Sequence, residues 1–288
     1  MSCFLFVPAI EQRKFEKARQ IACAGIILDL EDAVERSQKV VARESAAELL
    51  RRPRTKPVYV RINAASTPWW REDLDAIVEG RPDAVVVPKA SDPAAVRAID
   101  EYISMLEARN GLTKGQIRLE LILETARAVM RMETLLTASP RVARATIGMA
   151  DLCQDLGIDW AAALKGEPPL FLAERTQLAV VSRGLGLLAP HDSVFMDFQD
   201  DAGLIRDAEI GRRLGCAGKH VIHPRQIDPV NATYAITPEE RERARRIVQA
   251  YEEVRLKGRG ATLIDGLLVD EPVVQRAREV LMRTEAQR

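Results

Sequence analysis

Short apolar runs rich in β-branched residues alternate with amphipathic, helix-patterned stretches along most of this 288-residue chain, which is typical of βα units. Runs such as VVVP, IILDL and LELIL are largely apolar, as expected for parallel strands buried on both faces. The candidate strands are residues 3–7, 26–30, 58–62, 84–87, 118–123, 145–147, 193–196 and 220–222. Eight units in about 225 residues favour an α/β fold of the closed (β/α)8 TIM barrel type over an open doubly wound sheet.

The pattern changes after the eighth predicted strand. Residues 237–240, with the sequence TPEE, form a capping box with proline at the first helical position and open a charged helix. Glycines and an Asp-Gly turn follow within 258–266, and then a short helix from about Pro272. We therefore expect a barrel domain over residues 1–235 and a C-terminal helical lid extension over 236–288. The extension docks either on its own barrel or on another subunit.

The composition excludes several classes of protein. The 42 Lys and Arg residues balance 42 Asp and Glu residues, and zero net charge disfavours binding to nucleic acid or to a membrane surface. No apolar run approaches the roughly 20 residues of a transmembrane helix. The amino terminus lacks the pattern of a secretory signal, and the four cysteines show no CxxC pairing. We expect a soluble, cytoplasmic protein with reduced thiols.

Charged and polar side chains follow seven of the eight predicted strands, whereas the strand beginnings are less consistent. In chain order these side chains are Asp29, Glu31 and Asp32; Arg61 and Asn63; Lys89; Glu124; Asp151; Asp197; and His223. Catalytic residues of (β/α)8 barrels lie at the carboxyl ends of strands. The asymmetry therefore predicts an active site at one rim of the barrel.

Glu124 and Asp151 end adjacent predicted strands, so their carboxylates should converge and repel each other unless a cation lies between them. Two carboxylates with open coordination positions suit Mg2+, which keeps several waters and accepts substrate oxygens. Each residue also has a structural interpretation. Asp151 could cap the helix DLCQDLG, and Glu124 could lie in a first helical turn beside Thr125.

Arg61 ends a buried strand, where its guanidinium needs an anionic partner and could clamp a substrate carboxylate. A structural pair with Asp29 or Asp32 is the alternative. We interpret Lys89 as a rim cation or structural partner, because enolate stabilisation by a metal makes a Schiff base redundant. His220 and His223 are an odd number of residues apart on one strand, so they should not form a two-histidine metal site.

Nine segments carry a resemblance to a known family. They are LFVPA, IILDLEDAV, VYVRIN, VVVPKA, LILETARAV, TIGMADLCQDLG, VFMDFQD, GCAGKHVIHPRQI and DGLLVDEP. In this order, from about Phe4 to Leu281, the chain resembles the citrate lyase β-subunit-like family of the HpcH/HpaI aldolase superfamily. The resemblance implies a barrel that binds Mg2+ and coenzyme A thioesters and assembles as a homotrimer or a dimer of trimers with lid exchange.

The resemblance also implies an activity. Family members cleave or form the bond between an acetyl-CoA-derived carbon and a 2-oxo acid. We therefore expect a carbon-carbon lyase that cleaves a 3-hydroxyacyl-CoA thioester of the citramalyl-CoA, malyl-CoA or citryl-CoA type. The alternatives are a malyl-CoA thioesterase, a malate synthase-type condensation, an aldolase acting on free acids, and a citrate lyase β subunit that needs partner subunits.

The family's functional residues map onto this sequence by motif position. Glu124 and Asp151 match the metal ligands, and Arg61 matches the arginine that binds the substrate carboxylate, with Lys17 and Asp29 as further substrate-binding residues. Glu31 and Asp32 resemble acids that hold metal-bound water. Asp270, in VDEP, matches an aspartate that the lid lends to a neighbouring subunit as catalytic acid and base. Without the resemblance, Asp270 would be interpreted as the N-cap of the last helix.

Overall fold

The computed structural model describes residues 1–159, 169–256 and 258–285. The chain divides into two compact units, Met1–Tyr234 and Ala235–Arg288, and each is described by itself.

The first unit is built on eight parallel strands. They are β1 (Cys3–Pro8), β2 (Gly25–Asp29), β3 (Val58–Arg61), β4 (Ala84–Val87), β5 (Arg118–Leu123), β6 (Val142–Ile147), β7 (His191–Asp192) and β8 (Gly218–Val221). Their spatial order is β6-β5-β4-β3-β2-β1-β8-β7, and β1 pairs with both β2 and β8. The sheet thus curves into a nearly closed barrel, which confirms the predicted (β/α)8 fold. Every residue of β2 and β4 is buried, as their apolar sequences predict.

The seventh strand was placed wrongly at 193–196. The strand is His191–Asp192, which pairs with Gly218 and Lys219 of β8. The apolar run that suggested the later position lies beyond the strand. Phe195 within it is 4% exposed, and its carbonyl oxygen accepts a hydrogen bond from the Gln226 side chain at 2.7 Å rather than from a neighbouring strand. Burial beyond the strand end, not pairing, explains the apolar pattern.

The seam between β6 and β7 closes the barrel differently from the other strand pairs. In the described part of the chain no backbone ladder joins these two strands. Instead, Leu188 N donates to Ala143 O at 3.0 Å, and Met149 N donates to Ser193 Oγ at 3.3 Å. Isolated hydrogen bonds therefore join the two edge strands, β6 and β7, through the segments next to them.

Helices follow the strands of the first unit. They are α1 (Gln12–Gln20), α2 (Lys39–Arg51), α3 (Trp70–Ile77), α4 (Pro93–Arg109), α5 (Ala126–Met130), α6 (Met132–Leu136), α7 (Met149–Leu156), α8 (Leu172–Gly184), α9 (Asp201–Arg213) and α10 (Ile227–Tyr234). Helix α4 begins as predicted, because Asp92 accepts a hydrogen bond from Ala94 N and proline fills the first position. Among the described residues every helix is too short or too polar to span a bilayer.

The second unit contains two helices and a hairpin: α11 (Pro238–Arg255), β9 (Thr262–Ile264), β10 (Leu267–Val269) and α12 (Glu271–Glu285). The predicted capping box is present, since Thr237 and Glu240 exchange backbone and side-chain hydrogen bonds at 2.9 and 3.1 Å. Asp265 and Gly266 both have positive φ, as a two-residue hairpin turn requires. The buried core of the second unit includes Tyr251, Val269 and Val274.

Candidate active site

A cavity of about 380 Å³ lies at the carboxyl ends of the barrel strands. Five of the charged side chains predicted at strand ends line it, from the ends of four strands: Asp29, Asp32, Arg61, Glu124 and Asp151. Helices separate these four strands in the sequence, but parallel strands place all their carboxyl ends at one rim. The first unit therefore brings together the residues that sequence reasoning assigned to one site.

Glu124 is a buried carboxylate with an incomplete set of partners. It is 3% exposed, and its Oε1 accepts a hydrogen bond from Lys89 N at 2.6 Å. It does not cap helix α5, because Thr125 fills that role. Burial, followed by repulsion from Asp151 and Glu31, raises the pKa of Glu124 to about 8. Ionisation of this group therefore requires a cation near it.

Gly148 gives the Glu124 carboxylate its space. A Cβ atom at position 148 would lie 2.3 Å from Glu124 Oε2 and 2.5 Å from Glu124 Cβ, both far inside van der Waals contact. Gly148 also precedes helix α7, whose first turn carries Asp151. The Asp151 side chain makes no cap hydrogen bond, so its interpretation as an N-cap does not hold. Both carboxylates thus remain available to a ligand of the cavity.

Arg61 is held by the acids that follow β2. Its Nε and Nη2 each lie 2.7 Å from an Asp29 oxygen, and its Nη1 lies 3.2 Å from Glu31 Oε2 and 3.4 Å from Asp32 Oδ2. Although burial opposes it, these carboxylates raise the pKa of Arg61. Burial acts to raise the pKa of Asp29, but the charge and hydrogen bonds of Arg61 outweigh burial, so the pKa of Asp29 is lowered. The structural pair of Arg61 with Asp29 therefore forms. The Nη1 atom makes only the longer contacts, so it is the part of the guanidinium that can change partners when a ligand binds.

Lys89 links the two halves of this acidic rim. Its Nζ lies 2.8 Å from Glu31 Oε1, 3.3 Å from Asp32 Oδ1 and 3.8 Å from Asp151 Oδ1, while its backbone N–H bonds Glu124. Burial and repulsion from Asp32 raise the pKa of Glu31 to about 7, despite Arg61 and Lys89. The contacts agree with the interpretation of Lys89 as a rim cation.

The chemistry of this rim fits a hard divalent cation. Five carboxylates lie near three cations, Arg61, Lys89 and Lys39, so the site carries excess negative charge when its acids ionise. Carboxylate oxygens are the protein ligands that Mg2+ prefers. Burial and neighbouring acids raise the pKa of Glu124, and a cation beside this carboxylate would favour its charged form. Glu124 and Asp151 are the residues that would hold the ion.

Two predicted site residues lie outside this group. Lys17 is exposed in the last turn of α1, and the chain after this helix returns to the start of the barrel, where Ala24 N bonds Cys3 O. Asp270 belongs to the second unit and directly precedes α12, where its carbonyl oxygen accepts a hydrogen bond from Val274 N at 3.0 Å. The structure does not bring Lys17 to the cavity, and it places Asp270 directly before helix α12.

Sequence reasoning missed a buried polar group inside the barrel, which we call the inner cluster: Glu120, Arg144, His191 and His220. Glu120 Oε1 lies 3.0 Å from His191 Nδ1 and 3.1 Å from His220 Nε2, and the Arg144 guanidinium contacts His191 Nε2. Glu120, His191 and His220 have the spacing of metal ligands, the one such group of three among the described residues. The sequence signal was Glu120 within LELIL, an acid inside a buried strand.

Hydrogen-bond accounting assigns the inner cluster a different role from metal binding. An ionised Glu120 only accepts, so the ring nitrogens that face it, His191 Nδ1 and His220 Nε2, are its donors, and these two nitrogens also lie 3.2 Å from each other. Although burial opposes it, the two histidines hold the pKa of Glu120 well below its usual range. The Arg144 guanidinium then meets the lone pair of His191 Nε2 and balances the charge of Glu120. The charges of Glu120 and Arg144 thus offset each other without a metal ion.

We expect the inner cluster to make stability depend on pH. Burial, with Arg144 nearby, lowers the pKa of His191 from 6.5 to about 4. Between these values the unfolded chain binds a proton that the folded chain does not, so the free energy of unfolding falls as pH drops through this window. Urea unfolding should show that the free energy of unfolding decreases between pH 7 and pH 5, and that this decrease is smaller in His191→Gln than in the wild type by about 2 kcal/mol.

His223→Gln serves as the control, because His223 is exposed and only caps a short turn at the rim. An acid loss of stability in His191→Gln equal to that of the wild type and of His223→Gln would show that His191 is not held neutral.

Comparison with known proteins identifies the family. The model of the HpcH/HpaI aldolase/citrate lyase family matches residues 2–224, more than half of the chain. The chain belongs to the HpcH/HpaI aldolase/citrate lyase family. A second model, described as a C-C bond lyase of the TIM-barrel fold, matches residues 171–286 of this family member.

Curated relatives of this HpcH/HpaI family chain have related activities. It is 33% identical to a (3S)-malyl-CoA thioesterase of Cereibacter sphaeroides over 98% of this chain and 94% of the relative. It is 32% identical to the citrate lyase subunit beta of Escherichia coli K12, over 98% of this chain and 92% of that protein. It is also 32% identical to an L-malyl-CoA/beta-methylmalyl-CoA lyase of Rhodobacter capsulatus, over 98% and 94%.

Solved structures share the fold. A citrate lyase from Burkholderia xenovorans LB400 superposes with a TM-score of 0.89 at 22% identity, covering 99% of this chain and 92% of that one. The protein CitE from Mycobacterium tuberculosis, in complex with magnesium, acetoacetate and coenzyme A, has a TM-score of 0.81 at 27% identity, covering 98% and 97%. The barrel and its C-terminal extension thus recur in this HpcH/HpaI family.

Proposed function

We propose that this chain is a Mg2+-dependent carbon-carbon lyase. It cleaves a 3-hydroxyacyl-CoA thioester of the citramalyl-CoA, malyl-CoA or citryl-CoA type into acetyl-CoA and a 2-oxo acid. The observation that carries the proposal is the convergence of the Glu124 and Asp151 carboxylates with Arg61 in one cavity. An L-malyl-CoA/beta-methylmalyl-CoA lyase among the relatives, and a CitE structure with magnesium and coenzyme A, support it.

The proposed metal site supplies charge. Mg2+, held by Glu124 and Asp151, would stabilise the negative charge left on the substrate hydroxyl oxygen when its proton is lost to water. As the carbon-carbon bond breaks, this oxygen becomes the 2-oxo group and the bonding electron pair passes to the enolate of acetyl-CoA. Glu124 contributes as a carboxylate fixed by Lys89 N and by the space that Gly148 leaves. Glu31 would accept hydrogen bonds from water in the coordination shell, because one of its buried oxygens, Oε2, makes no hydrogen bond.

Arg61 and Asp29 act as a positioning pair. Asp29 fixes the plane of the guanidinium through two hydrogen bonds and is itself held by the backbone N–H groups of Glu31 and Ala33. The Nη1 edge then binds the substrate carboxylate in place of Glu31 and Asp32, which lie 3.2 and 3.4 Å from it. A fixed guanidinium orients the substrate for bond cleavage with little loss of its own entropy.

A proton must reach the acetyl-CoA carbon after the bond breaks. We assign that role to Asp270 of a second copy, with the chain working as a trimer or a dimer of trimers in which lids are exchanged. The Asp270 carboxylate makes no hydrogen bond or ion pair in the described part of the chain, so it is available to a partner site. We place the activity in the cytoplasm, because all four cysteines are unpaired and buried.

A thioesterase is the second candidate, because a (3S)-malyl-CoA thioesterase is 33% identical over 98% of this chain. Hydrolysis would use the same metal and Arg61 to hold the acid, but would release free coenzyme A instead of acetyl-CoA. The two reactions therefore differ in their products rather than in the residues that bind substrate.

The test is a product analysis on the purified chain alone. Malyl-, citramalyl- and citryl-CoA are incubated with Mg2+, and acetyl-CoA, free coenzyme A and 2-oxo acid are quantified. We expect acetyl-CoA and 2-oxo acid in equal amounts from at least one thioester, and no turnover with EDTA. Free coenzyme A without acetyl-CoA would favour the thioesterase, and inactivity on all three would reject an autonomous lyase.

A further inference from the structure

The floor of the cavity is polar on one side. Four side chains line it from below, each two residues before another residue of the cavity lining: Phe6, Ile122, Thr146 and His220. Phe6 and Ile122 make one half apolar. Thr146 and His220, each 2% exposed, bring a hydroxyl and an imidazole to the other half. Neither has a role in holding the metal or the substrate carboxylate proposed above.

Thr146 carries the clearest sign of a missing ligand. Its Oγ1 is buried and makes no hydrogen bond with any described residue, although it lies on a strand facing the cavity. An unmade hydrogen bond at a buried hydroxyl destabilises the folded protein. Valine has the same shape and would avoid this cost. A hydroxyl kept at this position is therefore suited to a partner that enters from the cavity.

His220 presents the second polar group. Its Nε2 lies 3.1 Å from Glu120 Oε1 and 3.2 Å from His191 Nδ1, and an imidazole with its one proton on this Nε2 has Nδ1 as an acceptor. The charges beneath it cancel, since Glu120 and Arg144 are both ionised and His191 is neutral. A second carboxylate on the substrate would be buried here without a cation of its own. A neutral substrate hydroxyl could instead donate to His220 Nδ1 and accept from Thr146 Oγ1.

We propose that Thr146 and His220 form a subsite for a neutral, oxygen-bearing substituent on the 2-oxo acid, such as the hydroxyl of a 3-hydroxy-2-oxo acid. This rests on the proposed function. In that function the carboxylate and 2-oxo oxygens of the acid face Arg61 and the metal, and the bulky coenzyme extends outward from the 380 Å³ cavity. The remaining substituent of the acid, on the carbon next to the 2-oxo group, is then the part that contacts the floor of the cavity.

Two ligands of equal size test the subsite. 3-Hydroxypyruvate and 2-oxobutyrate differ only by a hydroxyl in place of a methyl group. Their dissociation constants are measured by calorimetry with Mg2+, alongside pyruvate and oxaloacetate. We expect the wild type to bind 3-hydroxypyruvate about tenfold more tightly than 2-oxobutyrate and more tightly than oxaloacetate. Thr146→Val should bring the first ratio close to one, whereas Thr146→Ser, which keeps the hydroxyl, should preserve it.

The ratio within each variant corrects for any common change in folding or metal affinity. A wild type that binds these acids without preferring the hydroxylated one, or a preference unchanged in Thr146→Val, overturns the subsite and leaves the lyase proposal intact. A preference for oxaloacetate also overturns it, because it requires a cation at the floor. If none of the acids binds in the presence of Mg2+, the proposed function fails together with the subsite.

Discussion

Glu124→Gln is expected to weaken Mg2+ binding at least 100-fold and to abolish lyase turnover. The substitution keeps the size of the side chain and the acceptor for Lys89 N, but it removes one of the two charges proposed to hold the ion. Carboxylates are strong Mg2+ ligands because they are anionic, whereas a neutral amide oxygen repays much less of the dehydration of the ion. Calorimetric titration with Mg2+ measures the affinity directly, without substrate.

Asp197→Asn is the matched control. Asp197 follows the seventh strand at the same rim, is exposed, and does not line the cavity. It should bind Mg2+ as the wild type does. Glu124→Gln should also fold normally, and removal of a buried acid with a raised pKa should not destabilise the metal-free protein. Mg2+ affinity equal in Glu124→Gln and Asp197→Asn would place the metal elsewhere, with the inner cluster as the next site to test.

Asp270→Asn is expected to lower kcat about 10²- to 10⁴-fold while leaving Mg2+ affinity within twofold of the wild type. The amide has the same shape but cannot deliver the proton that the acetyl-CoA carbon needs. Asp265→Asn in the hairpin turn is the control, since Asp265 is exposed and asparagine tolerates its positive φ. Equal kcat values for the two variants would remove Asp270 from the mechanism.

Mixing the two inactive variants tests whether Asp270 acts in another subunit. Each chain of a mixed assembly carries one intact half: Glu124→Gln has a working Asp270, and Asp270→Asn has a working metal site. If the site lies between subunits, about a quarter of the interfaces in a random mixture combine both intact halves. Co-expression should therefore restore activity that neither variant shows alone. No recovery in a verified mixed oligomer would mean that Asp270 serves its own barrel or none.

Much of the site followed from local pattern. Runs such as Ala84–Val87 predict strands because burial on both faces demands consecutive apolar residues. Once eight strands are counted, the barrel places every strand end at one rim, so Glu124 and Asp151 could be paired from spacing alone. Helix starts at Asp92 and Thr237 were equally local, because a cap bonds backbone groups within three residues.

The seventh strand could not be found in this way. A strand of two residues, His191–Asp192, has no periodicity to detect, and the apolar run after it gives a stronger signal. The sequence pattern consequently places His191 before the seventh strand rather than in it. Its partner Glu120 is 71 residues away in the chain, and no local rule pairs an acid in one strand with a histidine in another.

The sequence by itself determined the class of fold, the rim at which the charged residues gather and, through its motifs, the family, because each depends on residues close together in the chain. Only the tertiary structure decided how those charges are shared. It showed that Asp29 occupies two donors of Arg61, that Lys89 bridges the acids, and that Thr146 is buried without a partner. Such pairings depend on side-chain directions and on distances between strands, which closure of the barrel sets and local sequence does not encode.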